Sequence, residues 1–455
     1  MLRVGRRWAS RTATLVVAMV TAAPGTVVAA PLGGPTASCP PAAGIGRSAL
    51  REAGVPPREP GAWGARLSDD GRFVTFTSYE DDLVPGDTNQ RADVFREDRA
   101  TGEILRISLN PKGRQFEDHA ADSSISADGS RVAFAAGYGV YVRDIRTGQT
   151  SRASLTNSGA APDDWSGAPV MSPEGRFVAF TSRATNLVPS DRDRGSLEAY
   201  MRDLEAGTTE RISIGAGGRA TPTWSWAEAI SEGARFVAFT AGAAGGSLTR
   251  EDTYPGADVF VRDRQTQTNE LVSVAPDGHS MGGWFIGMSA DGTRILFGSG
   301  PQPDTRPAIY LRDRVANATR LIAPLVTTWR RAAGTRPTPL SVLGHPDGLT
   351  AALSPDGRLA AFQTALPTGR DDTNGADDIV IIDLESGAEQ PATRSSSGCP
   401  GNGASGEPTF SRDGSIVAFT SEAEDLAGPD NQRLNSVYIR DMVATRTERV
   451  GAARR

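Results

Sequence analysis

The sequence predicts an all-β fold, a seven-bladed β-propeller with four antiparallel strands per blade. Three observations lead there. The stretch Leu67-Ser68-Asp69-Asp70-Gly71-Arg72-Phe73-Val74-Thr75-Phe76 recurs with its Ser at 126, 172, 231, 289, 354 and 411. Each copy places a Phe eight residues after that Ser, at Phe76, Phe134, Phe180, Phe239, Phe297, Phe362 and Phe419. Copies lie 46 to 65 residues apart and fill the chain, the spacing of a repeat architecture. A Val-Tyr-Val-Arg-Asp pattern follows the motif in most repeats, as at Val140–Asp144, Val259–Asp263, Ile309–Asp313 and Val437–Asp441. Finally, 51 Gly and 30 Pro in 455 residues suit many short strands joined by turns.

Each repeat has one grammar. A short strand ends at the Ser, and x-Asp-Gly makes a tight turn, where Gly tolerates positive φ and Asp bonds the local backbone. A second strand rich in Val, Phe and Thr follows, such as Arg72–Ser78 or Arg235–Thr240. After a variable polar loop comes the Val-Tyr-Val-Arg-Asp strand. A turn such as Arg146-Thr147-Gly148 then leads to a fourth strand ending near Ile107-Ser108 or Ile212-Ser213. One such unit cannot bury both faces alone, so seven must close into a ring. Blade one begins with its own first strand and blade seven ends with its own fourth, so no strand is borrowed across the seam.

Residues 1–30 read as an export signal. Arg3, Arg6, Arg7 and Arg11 form a basic start, Thr12–Val20 an apolar core, and Val27-Val28-Ala29-Ala30 a small-residue cleavage region. Pro24 and Gly25 interrupt the apolar run, against a spanning helix. Residues 31–62 form an extended Pro/Gly/Ala-rich arm, and 63–455 the propeller. Losing the four signal arginines takes the formal charge from −6 to −10. So acidic a chain is a poor partner for nucleic acid or anionic lipid. The expectation is a monomer, secreted or associated with the cell wall, without membrane insertion. The two cysteines, Cys39 before blade one and Cys399 before the first strand of blade seven, can form a disulfide in an exported protein. Closing so long a loop is worth about 5 kcal/mol in the chain-entropy model.

Ser126-Ala127-Asp128-Gly129-Ser130-Arg131-Val132-Ala133-Phe134, followed by Val140-Tyr141-Val142-Arg143-Asp144, resembles the TolB-like, WD40-like propeller repeat. The resemblance runs from residue 63 to 452 and implies the blade, not an activity. Two repeats depart from it. Ser231-Glu232-Gly233-Ala234 moves the turn glycine by one position, and Val380 stands where other repeats carry Phe or Tyr. The α/β domain of the periplasmic TolB proteins has no counterpart in this sequence.

The short turns after first and third strands share one rim, and the long loops after second and fourth strands share the other. Binding is expected on the long-loop rim. Trp63, Trp165, Trp224, Trp226 and Trp284 fall five or seven residues before a motif Ser, between a fourth strand and the next first strand, and His119 falls at offset seven. Such offsets put side chains on one face of a strand. These residues read either as blade-to-blade packing or as an aromatic funnel for a sugar or peptide. Trp329 lies farther from its motif. Asp87, Asn89 and Asp93, and likewise Asp372, Asn374 and Asp378, have oxygen-ligand spacing for Ca²⁺, although turns stabilised by the same side chains explain it too. Asp191-Arg192-Asp193 and Asp252–Asp258 echo the pattern. No other cofactor is implied.

Gly278-His279-Ser280-Met281-Gly282 matches a nucleophile elbow, but that motif needs a strand-to-helix turn on an α/β sheet, so it reads as chance. With only His119, His279 and His345, and no compact acid–base group, no catalytic residue is assigned. The reading is an exported module binding a protein or glycan. A polysaccharide lyase or glycosidase working from the same rim, and a rigid spacer, are the alternatives.

Overall fold

The computed structural model describes residues 61–451 apart from 190–195, 216–217, 219–222, 243–247, 300–307, 325–350, 365–366, 370 and 429–434. The expected export signal, most of the arm, Cys39, Asp191-Arg192-Asp193, Trp329 and His345 lie outside the described residues. The chain forms seven four-stranded antiparallel sheets, each built from four consecutive strands. Blade one starts at Ala62, one residue ahead of the expected boundary: Ala62 pairs with Ser78 of its own sheet, and its amide donates to the Asn435 carbonyl of blade seven at 3.2 Å. No strand crosses the seam.

First strands contact first strands of neighbouring blades all the way round, including blade seven to blade one. They therefore form the inner wall of the ring, and among the described strands the fourth strands lie outermost. The fixed Phe has a clear role. In six blades it sits opposite the aromatic residue of the third strand and stacks on it: Phe76 on Phe95, Phe134 on Tyr141, Phe180 on Tyr200, Phe239 on Phe260, Phe297 on Tyr310 and Phe419 on Tyr438, at 5.4 to 5.9 Å between centroids. Cross-strand aromatic pairs of this kind stabilise a sheet beyond their area. In blade six Phe362 faces Val380 instead.

The turn explains the rest of the motif. Ser68 Oγ donates to Asp70 Oδ1 at 2.6 Å, the same carboxylate accepts the Arg72 amide, and Ser68 Oγ accepts the Phe73 amide at 2.9 Å. The pattern repeats at Ser126, Ser289, Ser354 and Ser411. The turn glycine is needed twice over. Gly129 has φ +69°, and a Cβ there would come within 2.2 Å of Phe73 in the preceding blade. Ala234 occupies the equivalent place in blade four with φ +50°, which is how that blade absorbs its displaced glycine. The motif aspartates are turn-formers, as expected. The arginine after the turn then binds the Asp ending the third strand, as Arg176 does with Asp203 at 2.7 Å, holding that carboxyl down at about 2.

Candidate functional site

Two ends of the ring differ. On the short-turn rim the turns are hydrogen-bonded to one another at five of the seven junctions. Asp69 donates to Ala127, Ala127 to Pro173, Glu232 to Ala290, Ala290 to Pro355, and Arg412 to Asp69, at 2.7 to 2.9 Å. At the blade three–four junction the Gly233 amide donates to the Glu174 carboxylate. Arg412 of blade seven also forms ion pairs with Asp69 of blade one and Glu232 of blade four. Its guanidinium thus bridges non-neighbouring blades and narrows this end of the channel. The described long-loop rim has no such bridge.

The inner strands approach the long-loop rim at their N-terminal ends, and there the tryptophans stand. The structure corrects their assigned place: Trp63, Trp226 and Trp284 belong to first strands, Ala62–Leu67, Ser225–Ile230 and Trp284–Met288, while Trp165 and Trp224 immediately precede theirs. They do not form one continuous funnel. Trp63 lies against Tyr79 at 5.4 Å, and Tyr79 meets His119 of blade two edge-on at 5.5 Å. His119 Nδ1 accepts the Ala92 amide, so this histidine ties two blades together. Trp165 and Trp226 meet edge to face at 6.3 Å across blades three and four. Trp284 covers Gly298, where a Cβ would come within 2.1 Å of the indole. Trp224 is 40% exposed, yet its indole likewise covers Gly242, where a Cβ would come within 2.8 Å. Packing is therefore served by all six rings, and Trp224 also shows part of its surface to solvent.

Below the rim lie groups that the sequence reading missed. The first strand bulges in six blades, at or near the fourth residue before the motif Ser. The bulge residues include Asp122, Glu228 and Glu407, with Asp122 and Glu407 at positive φ of 55° and 53°. All three are partly exposed on the wall of the channel, as is Arg66 of blade one. Glu407 accepts the Gly64 amide across the seam at 3.1 Å and the Thr420 hydroxyl at 2.9 Å. Glu228 accepts the Thr240 hydroxyl at 2.8 Å. Surrounding protein raises the Asp122 carboxyl, with Arg66 partly offsetting the shift, and pushes Glu228 up to about 7. A signal existed: an acidic residue three or four places before the motif Ser, in a strand otherwise made of small and apolar residues.

Glu228 yields a pH prediction. The unfolded chain releases this proton near 4.5 and the folded chain holds it to about 7. Between those values the native state binds more protons, so this group's contribution to stability is lost as pH rises through 7. Glu228→Gln is expected to melt with the wild type at pH 4.5 and above it at pH 8, by up to about 3 kcal/mol. Thermal denaturation at the two pH values checks this.

The acidic loops do not form oxygen cages as spaced in the sequence. Asp87 pairs with buried Arg106 at 3.1 Å, Asp93 accepts from Ser108, and Asn89 turns its amide nitrogen toward Asp93 at 3.2 Å. Asn374 Oδ1 caps the turn at Ala376, and its amide nitrogen donates to Gly401. Asp378 accepts the Thr393 hydroxyl and Asp372 accepts the Thr368 amide at 2.7 Å. Among the described residues no group of three His, Cys, Asp or Glu is gathered for a metal. Cys399 is disulfide-bonded. Gly278–Gly282 lies in a turn closed by a Val274–Ser280 bridge, not at a strand-to-helix elbow, and His279 is exposed beside Asp277.

No family model matches the sequence. No curated protein sequence matches it either. Solved structures do resemble it. The propeller domain of the trilobed protease from Pyrococcus furiosus, described as having an open velcro topology, aligns over 86% of this chain and 95% of its own, with 10% identity and a TM-score of 0.52. An oligogalacturonate lyase from Vibrio parahaemolyticus aligns over 83% and 88%, with 11% identity and a TM-score of 0.51. TolB from Acinetobacter baumannii aligns over 71% of this chain at 14% identity and a TM-score of 0.41, and the aligned part spans 64% of TolB. At these identities the likeness is one of fold. The chain is a seven-bladed β-propeller, and the solved propellers it resembles include a protease domain and a lyase. No helix among the described residues is long and apolar enough to cross a membrane.

Proposed function

We propose that this is an exported binding module that takes a basic segment of a protein into the long-loop mouth of its channel. One observation carries the reading: the short-turn end is bridged by Arg412, Asp69 and Glu232, so a ligand's way in is the opposite mouth. That mouth has the partly exposed Trp224, and among the described residues of the first strands the wall below carries Asp122, Glu228 and Glu407 against one arginine, Arg66. Carboxylates half-buried on the channel wall favour a lysine or arginine side chain over an acidic glycan, because opposite charges attract and like charges repel. Export, to the cell surface or wall, rests on the basic and apolar N-terminus. A second reading as a lyase or glycosidase draws on Glu228, whose carboxyl near 7 suits proton transfer.

The test is titration of the full chain with penta-lysine, a neutral β-glucan oligosaccharide and polygalacturonate, followed by tryptophan fluorescence. Penta-lysine is expected to quench, with the effect weakened at least fivefold in Trp224→Ala while that variant still melts cooperatively. Quenching by the neutral oligosaccharide alone would move the ligand to a glycan. New reducing ends or unsaturated products from polygalacturonate, lost in Glu228→Gln, would make the protein an enzyme.

A further inference from the structure

In four blades the bulge of the first strand holds two residues. The first of them, four places before the motif Ser, has a left-handed backbone: Gly64 at φ +67°, Asp122 at +55°, Ala168 at +49° and Glu407 at +53°. Glycine takes that conformation freely, as in blade one, whereas a side chain there carries a cost. A Cβ on Gly64 would meet nothing within 4 Å, so the position is open and crowding does not demand glycine.

Blades two and seven keep an acid at this position. Glu407 is held by its surroundings, accepting the Gly64 amide of the next blade at 3.1 Å and the Thr420 hydroxyl at 2.9 Å. Asp122 has neither contact. Ala135 stands in the place of Thr420, and the aspartate is one methylene shorter than the glutamate. Its carboxyl accepts no hydrogen bond from the described residues, and burial pushes it up. Arg66, whose charge reaches it, donates Nη1 to the Ala65 carbonyl at 2.7 Å and makes no ion pair with it. Glu228, the third acid on the wall, accepts the Thr240 hydroxyl at 2.8 Å. Among these three carboxylates, then, Asp122 is the one whose bonding capacity is unused, at a half-buried place on a backbone that suits glycine better.

We propose that Asp122 is the specificity-determining residue of the channel, the carboxylate that receives the leading lysine or arginine of the bound segment; this rests on the reading of the channel given above. An ammonium or guanidinium supplies the charge-assisted hydrogen bond that the protein itself does not give this side chain. Glu228 and Glu407, already engaged, add negative charge to the wall and leave the first contact to Asp122. The folded chain alone gains nothing by keeping an acid here, the mark of a residue retained for binding at the expense of stability.

The test is calorimetric titration of the full chain with penta-lysine at pH 8, with thermal melting beside it, for the wild type, Asp122→Asn and Glu407→Gln. Each variant removes one negative charge, and Asn accepts the left-handed backbone as Asp does. Asp122→Asn is expected to bind on the order of tenfold more weakly. It should also melt higher than the wild type, because an unpartnered carboxylate has gone. Glu407→Gln keeps an acceptor oxygen for its partners and should bind within about threefold of the wild type. A wild type that takes up no penta-lysine would remove the reading of the channel, and this step with it. If the wild type binds and Asp122→Asn binds as tightly, the reading stands and the assignment of Asp122 fails. Equal losses in the two variants would point to the summed charge of the wall and overturn the assignment as well. So would an Asp122→Asn that melts below the wild type, since Asp122 would then serve the fold.

Discussion

Phe239→Ala is expected to destabilise the protein by about 3–5 kcal/mol, among the largest losses any single truncation here should give. Phe239 is fully buried, lies opposite Phe260 in the strand pairing and stacks on it at 5.4 Å. It belongs to a cluster that also contains Ala179 and Met201 of blade three and Ile230 and Leu271 of its own blade, so the cavity would open between two blades. Neither can close it without moving the other, which places the cost at the upper end of the range. Two comparisons give the prediction its edge. Phe362, at the same motif offset, is only partly buried and faces Val380, so Phe362→Ala should cost about half as much. Trp224→Ala removes a larger ring that covers Gly242 but is 40% exposed, and should cost less than Phe239→Ala. Urea unfolding of the three variants measures the order, and equal losses at Phe239 and Phe362 would refute the stacking argument.

The same contrast explains what could be read in the sequence. A strand alternates its side chains strictly, so a cross-strand pair leaves a fixed offset, and Phe at eight residues after Ser is that mark. The turn residues are equally legible, because a Ser hydroxyl, an Asp carboxylate and a residue at positive φ each have one chemical solution. The channel carboxylates left only a fainter mark, an acidic residue three or four places before the motif Ser. A bulge breaks the alternation, so Asp122, Glu228 and Glu407 have no common parity with the motif. Offset parity also misled for Trp224 and Trp226. The first precedes its strand, is 40% exposed and covers Gly242, while the second lies within it and packs on Trp165. As for the loop aspartates, their spacing gave no sign that Arg106, nineteen residues after Asp87 and on another strand, would pair with Asp87 in blade one.

The seam allows a sharper test, because it turns out to be an ordinary junction. Blade seven meets blade one through the Ala62 amide on Asn435, the counterpart of Ala120 on Ala92, Ser225 on Leu197 and Ser405 on Asp377. Gly71 rests on Ile416 as Gly129 rests on Phe73. Arg99, just after the third strand, reaches Glu448 in the fourth strand of the preceding blade at 2.8 Å, as Arg264 reaches Glu210 and Arg314 reaches Glu270. Junctions without this ion pair are matched differently: Ile145 and Leu105 both pack against the apolar cluster shared by blades one and two, and Leu384 offers its carbonyl to Arg320 between blades five and six. At this register position three junctions match charge to charge, and at another an arginine finds a backbone carbonyl. Glu448→Leu should therefore cost about 1–3 kcal/mol, since it strands the largely buried Arg99 guanidinium beside an apolar group. Adding Arg99→Ile recreates the Ile145–Leu105 junction and should recover most of the loss. About 1 kcal/mol should remain, because Arg99 also donates to the Gly71 carbonyl, a role that Arg96 fills for Gly129 in the next turn. A double-mutant cycle from equilibrium unfolding reads the coupling directly. If the two substitutions simply add, the seam is held by something other than the contacts that hold every other pair of blades.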